Sequence, residues 1–159
     1  IINYIESDNI KVLPQNYLLD DLMTKDLNYT STVPKDADIE TIRVGIEASK
    51  MLTIIDAGQT AVVKDGSVIS LEGVEGTDKT IQRAYDLAGK NCIIVKSARP
   101  KQDNRIDIPT IGLDTIKKIV EINAKGIVIE ADKMLFLDQD EVISYANKNK
   151  IFIKGMKYD

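Results

Sequence analysis

The residues best equipped for chemistry lie in one stretch, Lys96 to Asp114, which reads Lys-Ser-Ala-Arg-Pro-Lys-Gln-Asp-Asn-Arg-Ile-Asp-Ile-Pro-Thr-Ile-Gly-Leu-Asp. Lys96, Arg99, Lys101 and Arg105 are interleaved here with Asp103 and Asp107. Pro100 and Pro109 stiffen the stretch, because each fixes its own backbone dihedral, and Ile106, Ile108 and Ile111 give it apolar anchors. It follows an apolar run, Cys92 to Val95, that reads as a buried strand, and precedes an amphipathic run, Thr115 to Ala124, that reads as a helix. A connection of this length in a compact domain is usually functional or disordered, and the anchors argue against disorder. Mixed cations and carboxylates on a stiff loop after a strand suit an anionic ligand, phosphate above all, with or without a metal. A solvated loop with aspartates at turn positions has the same composition. Spacing alone leaves the two readings level.

Absent residue types narrow the chemistry. The chain has no histidine, which removes Ser-His and Cys-His catalysis and the usual general base near neutral pH. Its single cysteine, Cys92, excludes an internal disulfide and a multi-cysteine zinc site. An enzyme made from this chain must work with carboxylates, lysine or a metal. The formal net charge of −4 gives none of the basic surplus that marks nucleic-acid binders, so no nucleic-acid partner is expected. No apolar run approaches bilayer-spanning length, and no signal peptide is visible. With 159 residues, 43% of them hydrophobic, the chain suffices for one ordinary globular domain.

The elements that must hold the loop follow from periodicity and punctuation. Ile1 to Glu6 reads as the end of a helix, Ile10 to Leu13 as a short strand, and Tyr17 to Met23 as a helical turn. The chain thus opens inside an element and is expected to be the later part of a longer polypeptide. Between Thr24 and Asp36 the apolar periodicity lapses, and Thr30, Ser31, Thr32 and Pro34 are linker chemistry that predicts a domain boundary. A helix capped by Asp36 or Asp38 should follow, with Ile39, Ile42, Ile46 and Met51 as its core-facing stripe. Asp65-Gly66 between Thr60–Lys64 and Ser67–Glu72 is a strong hairpin signal. Thr77 or Asp78 should cap a helix that stops at Gly89, and Gly76 to Asp78 would offer backbone N–H groups to an anion. Asp114 should cap the next helix and Gly126 end it. Strands are expected at Ile127–Glu130, Met134–Leu137 and Ile151–Lys154, with a helix from Glu141 to Asn147 capped by Asp138. The fold class is therefore α/β, a mixed sheet containing a β-hairpin and flanked by helices.

Taken together, Asp56-Ala57-Gly58-Gln59, Glu72-Gly73-Val74-Glu75-Gly76-Thr77-Asp78, Lys96, Gln102 to Asp107, and Asp107-Ile108-Pro109-Thr110-Ile111-Gly112 resemble the LpxI-type UDP-2,3-diacylglucosamine pyrophosphatases of lipid A synthesis. The resemblance runs along essentially the whole chain in register, with one shortened loop near Gly89 to Asn91. Ile108, Gly73 and Ala57 are the mild departures from the usual motifs.

The resemblance implies a cytoplasmic two-domain enzyme. Residues 1–30 would be the tail of a preceding Rossmann-like domain with its linker, and 31–159 the catalytic domain. It implies Mg²⁺-dependent hydrolysis of UDP-2,3-diacylglucosamine by water attack at the uridine-side phosphorus, giving UMP and 2,3-diacylglucosamine 1-phosphate (lipid X). It places the essential aspartate at Asp107, beside Lys96 and Arg105 as charge-neutralising catalytic partners. Gln59, Gly76, Thr77, Gln102 and Thr110 would meet the substrate. Mg²⁺, or Mn²⁺ in its place, wants hard oxygen ligands, for which Asp107, Glu75 and Asp78 are the candidates. Glu75 and Asp78 serve equally well as helix-start carboxylates. The lipid substrate implies peripheral contact with the inner membrane, and the family pattern admits a homodimer. The competing reading is a non-catalytic nucleotide-sugar or lipid-phosphate binding module of the same fold.

Overall fold

A computed structural model describes residues 2–14, 16–100 and 107–158. The element order is α1 (Ile2–Ser7), α2 (Asn16–Leu19), a 3-10 turn (Asp20–Leu22), α3 (Asp36–Ile54), β1 (Thr60–Lys64), β2 (Ser67–Leu71), α4 (Thr77–Ala88), β3 (Ile93–Lys96), β4 (Thr110–Ile111), α5 (Leu113–Glu121), β5 (Gly126–Glu130), β6 (Leu135–Phe136), α6 (Gln139–Lys148) and β7 (Phe152–Met156).

A five-stranded sheet in the order β2-β1-β3-β5-β7 forms the centre. Strands β3, β5 and β7 run parallel, and the β1–β2 hairpin adds antiparallel strands to one side. This is the expected mixed sheet with a hairpin. Asp65 (φ 48°) and Gly66 (φ 75°) turn the hairpin, the paired positive φ that a two-residue turn needs to match strand twist. Side chains along each strand alternate between two cores, as a period of two requires. Val63, Ile93, Val95, Val128 and Phe152 pack with Ile42 of α3 on one face. Val62, Ile94, Ile127, Ile129 and Ile153 pack on the other, against Ile81 of α4, Ile116 and Ile119 of α5, and Val142 of α6. A small parallel pair, β4–β6, lies apart from the main sheet.

Several local expectations are corrected. Residues 10–13 form no strand; Ile10 is exposed, and Pro14, with no N–H to donate, ends the run before any partner strand is reached. The stripe on α3 is displaced, with Ile42 buried but Ile39 and Met51 exposed at 58% and 62%. Ile46 packs partly buried against the same core, and the buried face also carries Thr41, Gly45, Ser49 and Leu52. The cause is close approach to the sheet, because a Cβ on Gly45 would lie 2.5 Å from the Val95 side chain. The α3 cap is Lys35, whose N–H donates to the Asp38 carboxylate at 3.0 Å. Gly76, Gly112 and Asp138 occupy the other cap positions without side-chain caps. Asn123, with φ 51°, follows the end of α5. Gly126 instead opens β5, where a Cβ would strike the Phe152 carbonyl at 2.3 Å.

The segment from residue 23 to 31 has no helix or paired strand of its own but lies against the β7 side of the body. Thr24 Oγ1 donates to the Glu130 carbonyl at 2.7 Å, and the Tyr29 N–H donates to the Ile153 carbonyl at 2.9 Å. Among the described residues no helix is long and apolar enough to cross a membrane.

Candidate functional site

The carboxyl ends of parallel strands in an open α/β sheet are where ligands usually bind, and the candidate residues gather at that edge. Antiparallel pairing sets Thr60, the first residue of β1, opposite Lys96, the last of β3. The backbone just outside this pair is locked as well: the Ser97 N–H donates to the Gln59 carbonyl and the Glu72 N–H to the Thr60 carbonyl, each at 2.9 Å. Thus the Asp-Ala-Gly-Gln segment, the end of the hairpin and the start of the central loop form one cluster.

Glu72 ties that cluster together. Its carboxylate accepts the Gln59 N–H at 3.1 Å and the Thr77 hydroxyl at 3.0 Å. In the sequence Glu72 only opens a motif, and nothing local gives it a role. Counting outward from the Asp65-Gly66 turn sets Glu72 opposite Gln59, but a bulge at Val62/Val63 shifts the register so that Ala61 faces Leu71. The signal is therefore present and displaced by one residue. Gly76, at φ 82°, caps α4, and it leaves the Thr77 hydroxyl free to turn back to Glu72.

Lys96 is buried, with 9% of its surface exposed, and its ammonium donates to the Thr110 carbonyl at 3.2 Å. That bond brings the Asp107–Gly112 motif to the strand end, three residues after Asp107. Burial pushes the Lys96 pKa down, and the Glu72 and Asp78 carboxylates oppose the shift without cancelling it. Tyr158, a second residue that no sequence motif singles out, donates its hydroxyl to the Lys96 carbonyl at 3.1 Å. Burial, reinforced by the Glu130 charge, raises its pKa far enough to keep it a donor.

The remaining candidates divide. Asp78 is exposed in the first turn of α4 and contributes to the field at Lys96. Asp107 and Thr110 are exposed on the returning half of the loop. The Glu75 carboxylate is engaged elsewhere, with Arg83 at 2.5 Å, the Gly73 N–H at 3.1 Å and the Thr80 hydroxyl at 3.3 Å. Its own backbone N–H and then Arg83 hold its pKa below the usual carboxylate range, more than offsetting the desolvation that opposes them. Gln102 and Arg105 lie outside the described residues. Among the described residues, no three His, Cys, Asp or Glu side chains stand together as a complete ion cage. Chemically, the edge presents one buried cation flanked by carboxylates, a helix start and two threonines, a set matched to a phosphate group whose charge must be held away from bulk water.

Comparison with known proteins identifies the lineage. The UDP-2,3-diacylglucosamine pyrophosphatase LpxI of Caulobacter vibrioides is 31% identical over 131 residues, covering 77% of this chain and 47% of the relative. The chain therefore spans about half the length of that relative. The sequence pattern of the LpxI C-terminal domain matches residues 25–154, which takes in the hairpin, the central loop and the sheet as far as the middle of β7, and by that match the chain belongs to the LpxI C-terminal domain family.

Proposed function

We propose that this chain carries the hydrolytic site for UDP-2,3-diacylglucosamine, cleaving its pyrophosphate to UMP and 2,3-diacylglucosamine 1-phosphate. The observation that carries the reading is the buried Lys96 ammonium, bonded to the Thr110 carbonyl of the Asp107–Gly112 motif and facing Glu72 and Asp78. A cation fixed in a low-dielectric pocket is worth most where negative charge accumulates on phosphoryl oxygens. Lys96 stabilises that charge and the Thr77 end of α4 orients a phosphate. Asp107 receives the proton of the attacking water as its oxygen bonds to the uridine-side phosphorus. The bond to the bridging oxygen breaks, and the sugar 1-phosphate leaves.

The donor set fits Mg²⁺. Asp78 and Asp107 are hard oxygen donors on the two segments that meet near Lys96, and this ion commonly takes one or two protein carboxylates and completes its shell with phosphate and water. Glu75 is the weaker candidate because its oxygens are already engaged. When bound, Mg²⁺ would supply charge neutralisation and a more acidic water. We place the protein in the cytoplasm, meeting its lipid substrate at the inner membrane surface through the substrate's acyl chains.

The test is release of UMP from UDP-2,3-diacylglucosamine by protein carrying this domain. Exhaustive EDTA should abolish it, and Mg²⁺ or Mn²⁺ should restore it. Binding of the substrate without any release of UMP in saturating Mg²⁺ would favour a binding module instead. Full activity after chelation would remove the metal from the scheme.

A further inference from the structure

The loop that carries the proposed chemistry leaves β3 at Lys96 and returns through the Asp107–Gly112 motif, and its two halves are held against each other by the connection from β5 to β6. On the outgoing side the β3–β5 ladder ends at the pair Lys96 and Ile129. One residue on, the Glu130 carboxylate takes over and accepts the Ala98 N–H at 2.8 Å, a charge-assisted bond stronger than the neutral ladder bonds it extends. On the returning side the Leu135 N–H donates to the Pro109 carbonyl at 2.8 Å and the Leu137 N–H to the Ile111 carbonyl at 3.0 Å. Residues 130–137 thus grip both halves, and the Lys96 ammonium is bonded across them to the Thr110 carbonyl.

A short connection can hold a loop only if it is held itself, and Thr24 does this. It lies where the apolar periodicity of the sequence lapses, yet the residue is wholly buried. Its N–H donates to the Met134 carbonyl at 2.9 Å, and its carbonyl accepts the Asp132 N–H at 2.7 Å. Its hydroxyl donates to the Glu130 carbonyl at 2.7 Å and accepts the Met134 N–H at 3.3 Å. A hydroxyl can give and take at once, and an apolar side chain of the same shape can do neither. Removing it would leave two backbone groups of the connection without that partner, a cost that loosens the turn locally.

We propose that Thr24 and Glu130 are positioning residues for the hydrolysis assigned above: Thr24 pins the β5–β6 connection, and that connection, through the Glu130 carboxylate and the Leu135 and Leu137 amides, sets Lys96 against the returning segment that bears Asp107. The inference rests on the hydrolytic reading of the Lys96 edge. Neither residue touches the reacting atoms, and their effect is geometric. A misplacement of about 1 Å between groups that act on one phosphorus is enough to lower kcat about 10²-fold. Contacts that hold the ground state, and with them KM, change little.

The experiment compares the 159-residue chain with its Thr24→Val, Thr24→Ser, Glu130→Ala and Glu130→Gln variants, following UMP release from UDP-2,3-diacylglucosamine and amide hydrogen exchange on the same samples. Thr24→Val, equal in shape and without the hydroxyl, should lower kcat about tenfold or more with KM within about twofold of the parent. Its Ala98 and Leu135 amides should exchange about tenfold faster, while that of Ile94 in the central strand keeps its protection. Thr24→Ser, which keeps the hydroxyl, should recover most of the rate. Glu130→Ala should lower kcat in the same way and speed exchange at Ala98 more than at Leu135. Glu130→Gln should recover most of that loss, because its amide oxygen can still accept the Ala98 N–H. Should Thr24→Val not fold, the Glu130 pair decides. Parental kcat in the hydroxyl-free and carboxylate-free variants would overturn the proposal alone, as would a loss confined to KM. Unchanged exchange at Ala98 and Leu135 would overturn it whether or not the parent releases UMP. A parent that releases none would remove the hydrolytic reading, and this proposal with it.

Discussion

Lys96 sits under opposed forces, and their balance predicts how its removal acts. Burial favours the neutral amine, and Glu72 and Asp78 recover part of the ammonium. Because the folded-state pKa remains below the ordinary value, the unfolded chain holds this proton more strongly, and the charged lysine costs stability at neutral pH. That cost fades as pH rises from the folded pKa towards the unfolded one. Lys96→Met should therefore be at least as stable as the parent at pH 7, by up to about 1 kcal/mol of unfolding free energy, with the gap closing near pH 10. Turnover should fall about 10²-fold or more. A variant less stable than the parent at pH 7 would show that the bond to Thr110 outweighs desolvation. Asp107→Asn has the opposite profile, because the residue is exposed: melting unchanged, turnover down roughly 10²–10⁴-fold. Near-parental rates in saturating Mg²⁺ would remove Asp107 from catalysis. Much of this site could be read as types along the chain, since Lys96, Thr77 and Asp107 announce themselves. What stayed hidden was the company they keep. Glu72 and Tyr158 are joined to the site by pairings across 13 and 62 positions in sequence, which local periodicity cannot report.

At the level of elements, the hairpin was the most legible because its turn needs particular residues, whereas α3 was misread on its buried face. A hydrophobic stripe predicts which side of a helix is buried only where there is room for bulk, and α3 lies too close to β3 for that. Ile42 and Ile46 of the expected stripe still pack on the core, with Leu52 buried as well, and a polar anchor adds to them. Asp38, 4% exposed, accepts from Lys125 at 2.5 Å and from the Lys35 N–H at 3.0 Å. Burial alone would raise its pKa, but the Lys125 and Lys35 interactions outweigh burial and hold it below the usual carboxylate range. A depressed carboxylate contributes stability above its unfolded pKa and loses it as pH falls through the folded value. Asp38→Asn should thus cost about 2 kcal/mol at pH 7, the scale of a broken buried charged bond. The difference from the parent should shrink on acidification below about pH 4. Urea unfolding at pH 7 and pH 3 checks both statements, and a gap that does not change with pH would mean that the carboxylate's charge is not what anchors α3.

At the scale of the whole molecule, the core and the candidate site differ in what bounds them. Both faces of the sheet are covered by helices and filled with fully buried isoleucines, so the 159-residue chain is expected to fold by itself. The Lys96 edge, by contrast, is bounded by the hairpin end, the start of α4 and the central loop, and the proposed substrate carries a uridine diphosphate and two acyl chains. Sites for ligands of that size form preferentially between domains, and the Caulobacter relative is about twice as long as the stretch it shares with this chain. We therefore expect this chain to hydrolyse UDP-2,3-diacylglucosamine with kcat/KM at least about tenfold below that of the full-length relative, in the same Mg²⁺ and detergent. Both parameters should suffer, since binding energy from remote parts of a substrate serves to align the reacting phosphorus as well as to hold the molecule. A higher KM would report a wall of the cleft supplied from elsewhere in a longer protein, and a lower kcat a phosphorus less well oriented towards Lys96 and Asp107. Equal kcat/KM in the two proteins would mean that the cleft is complete within this one domain, and that the larger half of the relative serves some purpose other than catalysis.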